Sequence, residues 1–187
     1  GELRVDGTIP VAARSAGFPI ALTVRADRLD LSFLRVLAPT QIRDLRGHLS
    51  ADVRLTGPIG ALQANGQAAL DDGRIELKAT GAVYEEVHLH LRAAGTRVDV
   101  TELRARGGDG TLTGTGAIDA SGSLDVSLRL ERFLLLRQAV AEAAFDGSVD
   151  LRGTLIAPEL RGDLEVTRAR IHPGALTQVT YEVRNRS

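Results

Sequence analysis

The sequence predicts an all-β protein, and three observations carry that prediction. Apolar and polar residues alternate with period two over long stretches: Val87, Leu89 and Leu91 with Glu86, His88, His90 and Arg92, then Leu124, Val126, Leu128 and Leu130 with Asp125, Ser127 and Arg129. Successive strand side chains point to opposite faces, so this pattern gives one dry face and one wetted face. Glycine and turn residues punctuate the chain about every ten residues, from Gly57 and Gly66 through Gly81, Gly95 and Gly122 to Gly153 and Gly162, the spacing of short strands joined by hairpins. Helical periodicity is confined to two short stretches.

Taken in order, residues 3–12 open the series with Leu3, Val5, Ile9 and Val11, and residues 18–31 follow with Ile20, Leu22 and Val24 on the dry side. Residues 32–45 break the rhythm, with Ser32 as a helix cap and Pro39 dividing the segment. Strand 47–56 carries Val53 and Leu55; strands 62–71 and 74–80, the second with Ile75 and Leu77, are joined at Asp71-Asp72-Gly73 because Asp-Gly supports the positive φ of a turn. Strand 86–93 contributes Val87, Leu89 and Leu91, and strand 97–105 contributes Val98 and Val100. A tight turn in the glycine run 107–110 leads into strand 110–119, and strand 123–131 adds Leu124, Val126 and Leu128. Residues 132–145 place Phe133, Leu136, Val140 and Ala144 at helical spacing, which predicts a second short helix, either a cap on the end of the sheet or a lid over it. Strands 147–156 (Val149, Leu151), 160–171 (Leu164, Val166) and 177–184 (Val179, Val183) complete about twelve. At about 4.8 Å apart, twelve strands would span roughly 55 Å.

Composition narrows the function. The net charge of −1 gives no bulk attraction to nucleic acid or to an anionic membrane. Aromatics make up 3% with no Trp, which argues against the aromatic girdles of a lipid-facing barrel and against base- or sugar-stacking platforms. Without Cys there is neither a disulfide framework nor thiol chemistry. No apolar run approaches the ~20 residues that span a bilayer, and no signal peptide is present. The chain has no Met and opens in mid-pattern at Leu3-Arg4-Val5-Asp6, so it is expected to be a piece of a longer protein.

No catalytic constellation emerges. His88 and His90 stand two apart on the polar side with Glu86, and would need a third ligand from a neighbouring strand to hold a metal; His48 and His172 show no spacing that supplies it. The run Gly107 to Gly116 leads into a strand with no following Lys, unlike a phosphate-binding loop. Asp71-Asp72 lacks a His or a second acidic cluster, and no nucleophile elbow is present. The expectation is a protein that is not an enzyme and carries no metal or cofactor.

The chain also repeats itself. Gly57, Gly66 and Ile75 are nine residues apart, as are Gly153, Gly162 and Ile171; the offset of 96 aligns Val53 with Val149, Leu55 with Leu151 and Ala61 with Ala157. The copies cover about residues 47–91 and 143–187 of a single unit, 1–187. A dry face repeated in this way fits two sheets packed about 10 Å apart, the solution that pattern alone favours. It also fits a sheet that stays open and holds acyl chains against its wall, and periodicity does not separate the two.

The segment Gly153-Thr-Leu-Ile-Ala-Pro-Glu-Leu-Arg-Gly-Asp-Leu164 has a G-x-L-x-x-P-x-L-x-G-x-L rhythm, and Leu45 to Gly57 with the nine-residue step to Gly66 follows it closely, although there Pro58 comes directly after Gly57. With Asp72 to Leu91 and Gly107 to Gly116, these segments resemble the TamB family of AsmA-like, bridge-like lipid transfer proteins. The resemblance implies a long, curved, U-shaped (taco-like) β-sheet with a hydrophobic interior groove. It implies a periplasmic segment of a parent anchored in the inner membrane by an N-terminal helix, with phospholipid or another acyl-chain lipid and an outer-membrane barrel protein of the TamA/BamA type as partners. The groove would be lined by the dry-face residues named above, from Ile20 to Val166, and would conduct phospholipid passively between inner and outer membranes. The alternative is a chaperone or scaffold for outer-membrane protein or autotransporter assembly, working by β-augmentation.

Overall fold

The computed structural model of the chain describes residues 1–8, 19–32, 42–58, 61–138, 141–154 and 156–171. Within them ten strands form one antiparallel sheet in sequence order: β1 (Glu2–Thr8), β2 (Ile20–Asp30), β3 (Ile42–Gly57), β4 (Gln63–Leu77), β5 (Val83–Gly95), β6 (Arg97–Gly107), β7 (Gly110–Asp119), β8 (Ser123–Arg137), β9 (Ala141–Thr154) and β10 (Pro158–Ile171). Strand accounts for 86% of the described residues. The edge strands β1 and β10 do not pair with each other, so the sheet is open rather than a barrel, and among the described residues no second sheet covers it as a sandwich would require.

Three expectations are corrected by the backbone. The described residues of 132–145 are not helical: β8 runs on to Arg137 and β9 begins at Ala141, with 139–140 outside the described residues. Of residues 32–45, Ser32 lies with Leu31 in a 3₁₀ turn and 42–45 already belong to β3, while 33–41 lie outside the described residues, as does the strand expected at 177–184. Asp71-Asp72-Gly73 is no turn, because β4 passes through it from Gln63 to Leu77.

One physical cause underlies the first and third of these. Among the described residues four non-glycines have positive φ, namely Arg28 (44°), Asp72 (53°), Glu86 (50°) and Arg132 (48°). Each lies where the register slips, between Ala26 and Leu29, Leu70 and Gly73, Glu85 and His88, or Leu130 and Phe133. A β-bulge adds one residue, so two consecutive polar side chains face water and the dry face changes parity. Leu70 is thus followed on that face by Gly73 and Ile75, and Leu130 by Phe133. In sequence, such a slip looks like a turn or the start of a helix.

The bulges let β8 and β9 overrun the tip of the β6–β7 hairpin. Beyond that tip the Arg137 N–H donates to the Thr80 carbonyl at 2.8 Å, and the Gln138 side-chain amide donates to the Ala79 carbonyl at 2.8 Å. The Phe133 ring lies over Gly107 and stacks on Tyr84 of β5, with centroids 5.1 Å apart and planes 13° from parallel. A sheet that loses two strands at one end while their neighbours close the gap must curve, as paper does when a wedge is cut out and the edges joined. Both rings sit on the dry side, so the sheet curls that way. Phe133 (2% exposed), Leu130, Val87, Val149 and Ala105 form the tightest cluster at this point.

A bidentate pair holds β10 to the hairpin tip from across β8 and β9. The Arg168 guanidinium donates to the two Asp109 oxygens at 3.3 and 2.9 Å, and this contact holds the Asp109 carboxyl below the usual carboxylate range. A lowered folded pKa adds stability above the unfolded value and loses it as pH falls through the folded one. The stability gap between the wild type and Asp109→Asn, present at pH 7, is therefore expected to close below about pH 4. A gap that persists unchanged at pH 2, in urea melts, would rule out this ion pair as its source.

Candidate functional site: the dry face

Cross-strand partners share a face, so the register assembles the dry residues into rows that run across the sheet. One row reads Leu29, Leu49, Leu70, Leu89, Leu103, Gly114, Leu128, Val149 and Gly162 from β2 to β10. The next passes through Leu3, Ala26, Ala51, Ala68, Leu91, Val100, Gly116, Val126, Leu151 and Leu160, and a third carries Val5, Val24, Val53, Gly66, Ala93, Val98, Ile118 and Leu124. Ile20, Leu22 and Leu55 lie toward one end of the strands, and Ile75, Leu77 and Val87 toward the other. All the residues expected to line a groove therefore share one face. Val87, Val100, Val126 and Val149 are buried, most others are half-buried, and Leu164 and Val166 on edge strand β10 are 42% and 54% exposed.

The sequence reading missed Leu29, Leu49, Leu70, Leu103 and Phe133 as members of this face. The signal that finds them is the doubled polar pair at a bulge, such as Asp27-Arg28, Thr101-Glu102 or Glu131-Arg132, followed by a resumed alternation of opposite parity.

A second signal lies in the glycines, which sequence reading used only as turn punctuation. By register and parity, every glycine within the ten strands occupies a dry-face position, Gly66, Gly114, Gly116, Gly147 and Gly162 among them. Larger neighbours lean over the gaps. A β-carbon on Gly114 would stand 2.6 Å from Leu128 Cδ2, and one on Gly73 would stand 2.7 Å from Val87 Cβ. Curling a sheet crowds the side chains on its inner face, and inward glycines relieve that crowding. The two sequence copies use matching places: a β-carbon on Gly66 would meet the Val53 α-carbon, and one on Gly162 the Val149 α-carbon, each at 2.9 Å.

Within the described strands, charge is confined to the other face. Arg25 pairs with Asp52 at 3.5 Å, Arg152 with Asp125 at 3.7 Å, Arg106 with Glu86 at 3.1 Å, and Arg74 with Glu85. Such exposed pairs contribute little stability each, but they keep that face wet. Twisted sheets are saddle-shaped, and the polar face has its own depression of about 940 Å³ between Arg104, Thr113, Ser127, Arg129 and Asp146.

The histidines come together on this face in a way that spacing did not suggest. Asp71 Oδ1 is 3.4 Å from His88 Nδ1 and 3.7 Å from His90 Nε2, Glu102 Oε2 is 3.4 Å from His90 Nδ1, and His48 stands in register with Asp71. Bulging β4 at Asp72 puts Asp71 between the two strands that carry them. Among the described residues no three such side chains converge to hold an ion.

Among the described residues no helix is long and apolar enough to cross a membrane. No curated protein and no solved structure matches the chain. Residues 99–186 match the family model of the TamB C-terminal domain. That match begins inside β6, yet β1 to β5 continue the same sheet and the same dry rows without a break. The match over residues 99–186 supports the TamB family for this chain.

Proposed function

We propose that this chain is a lipid-binding segment of an envelope bridge, taking phospholipid or another acyl-chain lipid against its dry face and conducting it passively between the inner and outer membranes of the periplasm. The observation that supports this most is the set of apolar rows, aliphatic side chains spaced by glycines, that cross an open sheet, mostly half-buried and curled inward, with the charges of the described strands on the opposite face. The sheet acts without catalysis or cofactor. Each buried CH₂ is worth ~0.8 kcal/mol wherever it lies along such rows, so a chain slides with little change in energy. Ten strands about 4.8 Å apart make a path of roughly 43 Å, one stretch of a longer route. The parent chain would carry the membrane anchor, and an outer-membrane barrel protein of the TamA/BamA type would receive the far end.

Leu89 sits mid-row on β5, half-buried. Lipid recovered by mass spectrometry from the purified protein is expected to fall at least tenfold in Leu89→Asp, since a carboxylate there meets acyl chains with no partner. A protein that keeps its circular dichroism and its full lipid load in Leu89→Asp, or that carries no lipid as wild type, would sink the proposal.

The edges favour a second reading, a scaffold that receives outer-membrane strands by β-augmentation. Leu3 and Val5 on β1 are 52% and 53% exposed, and Leu160 on β10 is 65% exposed. Main-chain pairing at such an edge is indifferent to a mid-row charge. Peptide binding that survives Leu89→Asp while lipid binding does not distinguishes the two.

A further inference from the structure

We propose that the polar face carries an anion site that takes a phosphate group, formed by Arg54 and Arg92 with the Asn65 amide. A depression of about 570 Å³ across β2 to β5 is lined by Arg25, Asp52, Arg54, Asn65, Gln67 and Arg92. Three guanidiniums thus face a single carboxylate, and that carboxylate is engaged by Arg25 at 3.5 Å. Most arginines on this face have an acidic partner one strand or two residues away, whereas Arg54 and Arg92 have none among the described residues. Asp99, in register with Arg92, is held instead by Arg97 at 2.6 Å. The Asn65 carbonyl oxygen accepts the Gly95 N–H at 3.1 Å, which leaves its NH₂ free to donate.

Unpaired guanidiniums with an amide donor are the chemistry that recognises phosphate, through planar paired N–H groups. Register fixes their spacing, since Arg54 pairs with Asn65, and Gln67 with both Asp52 and Arg92. The site lies on the face opposite the acyl rows, so it is independent of the lipid-path proposal. A phospholipid headgroup and free phosphate present the same group, and the test separates them.

The intact chain is titrated with inorganic pyrophosphate, and separately with phosphatidylcholine vesicles with and without phosphatidylglycerol. The double variant Arg54→Gln/Arg92→Gln, exposed at both positions, is expected to bind about thirtyfold more weakly, since each arginine near an anionic surface contributes about 1 kcal/mol. Loss seen only with phosphatidylglycerol vesicles supports the site with a headgroup as its source; loss with pyrophosphate as well supports it with phosphate alone sufficient. The paired arginines serve as the control, with Arg129→Gln/Arg152→Gln expected to bind like wild type. An equal loss in that control, no loss in the Arg54/Arg92 variant, or no binding of either probe by wild type overturns the site.

Discussion

Replacing Phe133 with Ala is expected to cost about 3–4 kcal/mol of stability, as a truncation at a filled site does, and to release the curled end of the sheet. Phe133 is 2% exposed, touches the cluster of Val87, Ala105, Leu130 and Val149, and stacks on Tyr84. It spans the gap left where β6 and β7 stop. The neighbouring strands cannot close over that gap by themselves, because Gly107 and Gly110 offer no side chain there. Urea unfolding gives the loss, and amide exchange at Arg137, bonded to Thr80, gives the opening. Tyr84→Phe keeps the stack and loses only the hydroxyl's hydrogen bond with Thr80, so it is expected to cost about 1 kcal/mol, well short of the Phe133→Ala loss. Full protection at Arg137 in Phe133→Ala would show that the main-chain bonds, not the rings, hold the curl.

Gly116→Val is the second large effect, expected at about 3 kcal/mol, the upper range for overpacking. A β-carbon there would lie 2.6 Å from the Val126 α-carbon and 2.7 Å from Val126 Cγ2, so β8 must move away from β7 to admit it. On the opposite face of the same strand, Thr115→Val points outward and is expected to change stability by under about 0.5 kcal/mol. Chemical melts of the two variants compare the faces directly. Equal effects would mean that the inward glycines are not an adaptation to curvature. A Gly116→Val protein that is only slightly destabilised but has lost its lipid would instead assign the glycine to the bound chain.

The dry face was legible in the sequence wherever a strand stayed regular. Leu124, Val126 and Leu128 in β8, and Val149 and Leu151 in β9, alternate without interruption. It was illegible past each bulge. After Glu131-Arg132 the apolar positions shift by one, and Phe133, Leu136, Val140 and Ala144 then fall by coincidence at helical spacing. Local pattern has no means of marking an inserted residue, because a bulge is defined by what the partner strand does. The same holds for His48, whose place beside Asp71 comes from the β3–β4 register rather than from any interval along the chain.

Fold class, strand-by-strand alternation and the TamB-like rhythm are readable along the chain, since side-chain direction in a strand depends only on counting by two. Whether those strands close on each other was decided by tertiary structure alone. A sandwich and an open sheet demand the same alternation, and only the pairing of each strand with its sequence neighbours, β1 to β10, separates them. The direction of curvature was decided there too. It follows from where glycines meet larger neighbours across strands and from how β8 passes the β6–β7 tip to reach the β4–β5 turn, contacts between residues that the chain keeps far apart.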